Sequence, residues 1–306
     1  MSEASAIEAT ATSADASENP RGVWREARRA LWLLSRSFSS VVGLVIVAIF
    51  LVLAILGPYI VPYPGASTGN VDMSSMLLPP SMEHWFGTDD MGNDIFSRVV
   101  IGTRISLQIG LTITLGAAVI GVPLGIFSGY LGGNVRRVIM AFTDLFLALP
   151  SLVLAIPIVT VLGPGVTNAT IALAIVWWPG YVRLVDSKAL SLSKEPFVEA
   201  ARAMGASTLR IVFRYMLPNC TSPLIVKASL DMGAAILAAA GLGFIGLGAK
   251  APSPEWGAML SVARGYLPTW WWFAVFPGLA IYVSVLGFNL LGDGLRDIFD
   301  PRTTSQ

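Results

Sequence analysis

Six apolar stretches, each long enough to cross a lipid bilayer, constrain the fold of this chain more than any other feature. The hydrocarbon core of a bilayer is about 30 Å thick, and a helix needs about 20 apolar residues to cross it. Charged residues make up only 13% of the sequence, against about 25% in a typical soluble domain. We therefore predict an all-α integral membrane protein with six transmembrane helices. They are expected near residues 41–62, 105–129, 138–162, 169–186, 222–247 and 272–292.

The distribution of Lys and Arg predicts how these spans are oriented. Cytoplasmic loops of membrane proteins carry an excess of basic residues. If the N-terminus is cytoplasmic, fifteen of the twenty Lys and Arg residues fall in cytoplasmic segments or span ends. Four fall outside, at Arg98, Arg104, Lys250 and Arg264, and Lys227 lies within the fifth span. Both termini are therefore predicted to be cytoplasmic.

The chain divides into a tail, a short basic segment and the transmembrane domain. Residues 1–20 are mostly Ala, Ser, Thr and Glu without an apolar period, which is typical of a disordered cytoplasmic tail. In residues 21–38, apolar positions recur at helical spacing and arginines lie mostly on the other side. This pattern favours an amphipathic helix lying on an anionic inner leaflet, and a simple positive-inside anchor fits it equally well. The six-helix domain covers residues 39–302.

Cysteine and histidine counts exclude most metal and redox chemistry. The only cysteine is Cys220 and the only histidine is His84, so neither an intrachain disulfide nor a multi-histidine metal site is possible. His84 is interpreted as a loop residue that packs on its neighbours. We therefore predict no metal site in this chain.

The cytoplasmic loop 187–221 has the pattern of two short helices separated by a turn. Pro196 suits the first turn of a helix, and Gly205 suits the left-handed position where that helix ends. Ser207 can cap a second helix over residues 208–216, and Pro218 limits its extension. Such a loop, held between two spans, predicts a docking surface. A helical hairpin lying on the membrane is the alternative, and a DNA-reading helix-turn-helix is a worse one.

Small residues and intramembrane charges mark further positions in the spans. Ala117, Gly121, Gly125 and Gly129 form a ladder at four-residue spacing, which predicts close packing against another helix of this chain or of a second subunit. Acidic residues inside a span are costly, so they indicate function by default. Asp144 and Asp231 are therefore candidates for a pathway or gate. Asp186 and Lys227 lie near cytoplasmic ends, where a simple interfacial role fits.

The loop 187–221 resembles the cytoplasmic coupling signature of binding-protein-dependent ABC importer permeases. The resemblance rests on Glu199-Ala200-Ala201, Gly205, Tyr215 and Leu217-Pro218, with Tyr215 where isoleucine is usual. Further motifs resemble the dipeptide, oligopeptide and nickel branch, with Asn93 where arginine is common. These motifs are 86–94, 97–107, 254–260, 276–280 and 289–297.

This resemblance implies a type I ABC importer permease fold in a bacterial inner membrane. It implies three kinds of partner besides membrane lipid: a second permease subunit, two cytoplasmic ATPases and an external solute-binding protein. No nucleic acid is expected as a partner. Residues Glu199, Ala200, Ala201, Gly205, Leu217 and Pro218 would dock the ATPase. The outer segments 63–104 and 248–271 would face the binding protein through Asp89, Asp90, Asp94, Glu255 and Trp256.

The expected role is that of a non-catalytic subunit for the import of small peptides. The sequence has no Gly-x-x-x-x-Gly-Lys-Ser/Thr phosphate loop, so ATP is expected in the partner subunits and no cofactor in this chain. Nickel or another small solute is the alternative substrate. A secondary transporter would usually have internal repeats or paired intramembrane charges, and a membrane enzyme would need clustered catalytic groups. Neither pattern is clear here.

Overall fold

The computed structural model describes residues 37–69 and 71–299. Within these ranges the regular structure is helical, apart from one antiparallel bridge between Thr88 and Asp94. The predicted tail 1–20 and residues 21–36 of the predicted interfacial helix lie outside the described residues.

Links of one to four residues join the main helices, apart from the longer segments 61–94, 245–255 and 264–271. In chain order these helices are α1 (Phe38–Ile60), α2 (Ile95–Leu131), α3 (Gly133–Leu147), α4 (Ser151–Leu162), α5 (Val166–Leu192), α6 (Pro196–Ala203), α7 (Thr208–Phe244), α8 (Trp256–Ala263) and α9 (Trp272–Phe299). Short 3₁₀ turns cover Pro64–Ser67, Met73–Ser75 and Arg264–Tyr266.

The number of candidate spans agrees only in part with the predicted six. Among the described residues, α1, α2, α7 and α9 are each long and apolar enough to cross a membrane, and α3 with α4 forms a fifth candidate. Helix α5, which contains the predicted fourth span, is long at 27 residues but carries Arg183, Asp186 and Lys188. Six spans with both termini cytoplasmic remain a prediction.

Helix α2 begins ten residues earlier than predicted. Residues 95–104, assigned to the external loop 63–104, form its first turns. The Asp94 carboxylate starts the helix by accepting a hydrogen bond from the Ser97 N–H at 2.8 Å, as an N-cap does. With 37 residues and a rise of about 1.5 Å per residue, α2 is roughly 55 Å long, so it extends well beyond the bilayer core.

The predicted third span, 138–162, is not one straight helix. Helices α3 and α4 meet at a bend of 88°. Pro150 lies between them with an extended backbone, because proline disfavours helical geometry at the residue before it and lacks an N–H for the helical ladder. The segment is therefore a broken span or a re-entrant element.

Helices α2 and α5 pack most closely, through the predicted ladder of small residues. A side chain at Gly121, Gly125 or Gly129 would meet α5 at once: the nearest α5 atoms lie 2.5 to 2.7 Å from an added Cβ. The close neighbour of the ladder is thus a helix of this chain.

Near the outer end, Trp256 is fully buried and its Nε1 donates to the Val99 carbonyl at 3.0 Å.

Candidate functional site

Residues 196–216, which we name the coupling segment and which were predicted to be cytoplasmic, begin with helix α6. Pro196 occupies its first turn and Gly205 ends it with φ of +79°. The Ala206 N–H donates to the Ala201 carbonyl and the Gly205 N–H to the Arg202 carbonyl, each at 3.0 Å. This pair of bonds is the Schellman motif, in which a glycine in the left-handed region satisfies the last carbonyls of a helix.

The second helix of the coupling segment does not stop at Pro218, contrary to the prediction. The Ser207 side chain caps it at the Arg210 N–H, and the chain then remains helical into α7 through a π-helical turn, Ile211–Met216, and a 3₁₀ turn, Leu217–Cys220. The Asn219 side-chain amide donates to the Tyr215 carbonyl at 2.7 Å. The changes of helical register accommodate the proline, so the predicted loop 187–221 contains helix at both ends.

One side of the coupling segment is packed into the protein. Val198, Ala201, Ile211, Val212 and Met216 are all buried, and they cluster with residues from the C-terminal ends of α2 and α5. The segment is therefore an integral part of the fold.

The other side carries exposed apolar side chains that the sequence reading did not single out. Phe197, Met204, Leu209 and Phe213 have exposed fractions of 40 to 78%. Apolar groups that cluster on a surface outside the membrane are typical of an interaction site. Phe197 and Phe213 each lie beside a buried residue, Val198 and Val212, so the spacing of apolar positions gave a signal for these two and none for Met204 and Leu209.

The six predicted docking residues are divided between the two sides. Glu199, Ala200, Gly205 and Pro218 are exposed, whereas Ala201 is buried and Leu217 is partly buried. The last two support the segment from within.

A buried carboxylate anchors the helices that carry the coupling segment. Asp186 of α5 accepts hydrogen bonds from the Ser128 hydroxyl at 2.6 Å and from the Arg136 Nε and Nη2 at 3.0 Å. It thereby joins α5 to the end of α2 and the start of α3. The sequence placed Asp186 at a span edge with an interfacial role, because its partners lie 50 and 58 residues away.

Replacing Asp186 by Asn should destabilise this junction. The variant keeps the size of the side chain but leaves Arg136 without its charged partner, and hydrogen bonds to charged groups contribute about 1.5–3 kcal/mol. Because the Arg136 side chain is 41% exposed, we expect a loss near the lower limit, read as a lower melting temperature in detergent. Arg137→Gln is the matched control, since Arg137 is exposed and bonds only to Asn134 at 2.9 Å. Equal melting temperatures for both variants would contradict this role.

The two acidic residues predicted for a pathway or gate each have a basic partner. Asp144 pairs with Arg183 of α5 at 2.7 Å, and both side chains are 55% exposed. Asp231 pairs with Lys227 one turn away at 3.0 Å and is mostly buried. Both acids thus lie in ion pairs, and Lys227, for which an interfacial role was predicted, has a specific partner. A pathway or gate role for the two acids stays a prediction.

The outer loops place most of their predicted contact residues inside the protein. Asp89, Asp94, Glu255 and Trp256 are at most 3% exposed, so their side chains do not form an outer contact surface. Of the five predicted residues, Asp90 is the one that is partly exposed, and contact of these loops with a binding protein stays a prediction. Polarity in the sequence suggested exposure, but each carboxylate has internal partners.

These partners explain why the outer loops hold buried acids. Burial raises the pKa of Asp89, and the Arg98 guanidinium, with its Nε 3.4 Å from the carboxylate, acts in the opposite direction. Burial also raises the pKa of Glu255, opposed by the N–H groups of Gly257 and Ala258, which donate to its side chain at 2.8 Å. The acids therefore organise the loops over the outer end of the helices.

His84 belongs to this outer network. Its Nδ1 lies 3.0 Å from the Asp94 carboxylate, and its ring packs on Tyr63 with centroids 4.9 Å apart. In the described part of the chain, no group of three His, Cys, Asp or Glu side chains is arranged to hold a metal ion.

Two family models match most of the chain. Residues 121–305 match the binding-protein-dependent transport system inner membrane component, and residues 23–80 match the N-terminal transmembrane domain of oligopeptide transport permease C. The first match covers the small-residue contact, both ion pairs and the coupling segment.

Curated relatives are similar over nearly their whole length. The dipeptide transport system permease protein DppC of Alkalihalophilus pseudofirmus is 48% identical, covering 92% of this chain and 91% of the relative. The probable D,D-dipeptide transport system permease protein DdpC of Escherichia coli K12 is 46% identical, with coverage of 90% and 91%. The glutathione transport system permease protein GsiD of Pectobacterium atrosepticum is 41% identical, with coverage of 93% of each.

The fold also has a counterpart among solved structures. A chain of the MetNI methionine ABC transporter, solved in inward facing conformations, aligns with a TM-score of 0.53 and 22% identity, covering 66% of this chain and 96% of that chain. At this identity the likeness concerns the fold alone. The family models and the curated relatives assign the molecule: the chain belongs to the binding-protein-dependent ABC transport system inner membrane components, in their dipeptide and oligopeptide permease branch.

Proposed function

We propose that this chain is one of two permease subunits of an ATP-driven importer of short peptides in a bacterial inner membrane. It forms half of the translocation pathway, with six transmembrane helices and both termini in the cytoplasm. The peptide assignment is supported by the relatives named above, whose names refer to dipeptides, D,D-dipeptides or glutathione. All of these are small peptides, so this substrate class is favoured over nickel.

The coupling segment carries the proposal. Its inner side is packed on α2 and α5, and its outer side offers Met204, Leu209 and Phe213 to the cytoplasm. A partner that grips the outer side therefore moves the attached helices with it. In this mechanism two cytoplasmic ATPases bind and hydrolyse ATP, their closure displaces the coupling segment, and the spans tilt to change access from the outside to the inside.

The outer face of the chain receives the solute from an external binding protein. Because the acids of the outer loops are mostly buried, we assign this contact to exposed side chains around them: Met82 at 95%, Trp85 at 56% and the neighbouring Glu83. The second permease subunit packs laterally against the transmembrane domain of this chain and completes the pathway.

Replacing Leu209 by Asp should release the ATPase from the complex. Leu209 is 60% exposed, so the substitution introduces a charge into the proposed interface without burying it in the free chain. We expect at least a tenfold loss of the ATPase that co-purifies from native membranes, since an unpaired charge buried in an interface costs several kcal/mol.

Leu209→Met is the matched control because it keeps an apolar side chain of similar volume, and it should retain the ATPase within about twofold. Thermal unfolding of both variants establishes that the chain itself is intact. If a folded Leu209→Asp chain still co-purifies with as much ATPase as the wild type, the ATPase does not dock through this surface.

A further inference from the structure

Two ion pairs lie beside one open face of helix α5 in the cytoplasmic half of the chain. On one side, Arg183 of α5 binds Asp144 of α3, with Nη2 and Oδ1 2.7 Å apart. On the other, Lys227 of α7 binds Asp231 and approaches α5 closely, its Nζ lying 5.0 Å from the centre of the Tyr181 ring. The four charges therefore belong to three different helices that meet along α5.

The face of α5 between these pairs is not covered by any of the residues that the structure describes. At 3.6 residues per turn, Arg183, Leu184, Ser187 and Lys188 lie on the same side of the helix, and none of them is buried. The opposite side packs on the small residues of α2. An adjoining groove of about 610 Å³ is lined by Leu184, Lys188, Lys227, Leu230, Asp231 and Arg296, among others.

The position of these charges excludes lipid as the natural cover of this face. Asp144 is six residues inside the predicted span 138–162 and Asp231 is nine residues inside the predicted span 222–247. At a rise of about 1.5 Å per residue they lie roughly 9 and 14 Å from the nearer ends of those spans. Charged groups at such positions face water-filled cavities or the interior of a bundle. The Asp144–Arg183 pair is half exposed in the chain alone, so both charges are accessible on this face of the described chain.

The geometry points to a transit site for a zwitterionic peptide on this face, an inference that rests on the proposed function. A short peptide with free ends carries an ammonium and a carboxylate group. Arg183 and Lys227 bind the carboxylate, and Asp144 and Asp231 bind the ammonium. Each internal ion pair exchanges its partner for a terminal charge of the peptide, so no charge is left unpaired when the solute enters or leaves. Such exchange suits weak, transient binding during transport.

The test uses the complete importer, with both permeases, both ATPases and the binding protein, reconstituted in proteoliposomes and supplied with radiolabelled L-alanyl-L-alanine. Arg183→Gln and Lys227→Gln should each lower the maximal rate of dipeptide uptake at least tenfold. ATP hydrolysis stimulated by the binding protein, and co-purification of every subunit, should remain within twofold. Lys194→Gln is the control, because Lys194 is exposed on the link between α5 and α6 and should transport normally.

A double variant, Asp144→Arg with Arg183→Asp, separates a solute site from a structural ion pair. The reversed pair restores the local attraction but exchanges the positions of the two charges, so uptake should stay low. Recovery of uptake in the double variant, normal uptake in the two single variants, or loss of the second permease from the complex would each overturn the transit site. If the intact importer itself takes up no dipeptide, the proposed substrate class fails as well.

Discussion

Gly125→Leu is expected to prevent stable folding of the transmembrane domain. A Cβ added at Gly125 would already lie 2.7 Å from the Val182 carbonyl oxygen and 2.8 Å from the Val185 Cβ. The first atom belongs to the backbone and the second is the Cβ of a β-branched residue, so neither can move away unless the whole of α5 moves. Overpacking costs about 1–3 kcal/mol where the surroundings can adjust and more where they cannot. We expect at least a tenfold lower yield of monodisperse protein in detergent.

Gly278→Leu is the matched control for this experiment. Gly278 also lies in a transmembrane helix, but an added Cβ there meets nothing within 4 Å, so its yield should stay within about twofold of wild type. Leucine is more apolar than glycine, which means that membrane insertion is not impaired in either variant. A monodisperse Gly125→Leu protein with an unchanged melting temperature would contradict the close approach of α2 and α5.

Trp256→Ala should cause the second large effect, at the outer end of the molecule. Trp256 is fully buried, its Nε1 donates to the Val99 carbonyl at 3.0 Å, and its ring packs edge-on to Phe50 with centroids 5.8 Å apart. Truncation of a buried tryptophan costs about 3–5 kcal/mol because it removes apolar contact and leaves a cavity. The melting temperature of the purified chain should fall, and the outer loops should become more accessible to protease.

Two variants separate the causes of this effect. Trp256→Phe keeps most of the apolar contact and loses the hydrogen bond to Val99, so its melting temperature should lie between those of wild type and Trp256→Ala. Trp271→Ala removes a side chain that is 49% exposed and should change stability little. If Trp256→Ala and Trp271→Ala lower the melting temperature equally, Trp256 does not hold the outer loops on α2.

The sequence identified the family and the broad position of its helices, because both depend on local patterns. Apolar runs located the spans that α1, α2, α7 and α9 contain. The small residues from Ala117 to Gly129 marked the surface of closest helix contact, although their spacing could not indicate that α5 of the same chain is the neighbour. Gly205 predicted a helix end in the left-handed conformation, since that requirement is also local.

The errors arose where distant groups decide the structure. Residues 95–104 were assigned to the external loop, whereas Arg98 is buried against Asp89 and the carbonyl of Ala66, and α2 already starts at Ile95. Pro218 suggested a helix end, but the proline is absorbed by the changes of helical register around it. The acids of the outer loops suggested a contact surface, because a sequence does not reveal which carboxylates find internal donors.

The continuity of α7 has a mechanical consequence for transport. Its 37 residues run from the exposed Leu209 to the outer half of the domain as one rod of roughly 55 Å. A rod of that length that pivots by about 10° at its centre carries each end sideways by roughly 5 Å. A small push on the cytoplasmic tip is thereby delivered as a displacement of similar size, in the opposite direction, at the far end. This helix can bend at the π-helical turn, Ile211–Met216. The stiffness of the turn therefore determines how much of the displacement at one end of α7 is transmitted to the other end.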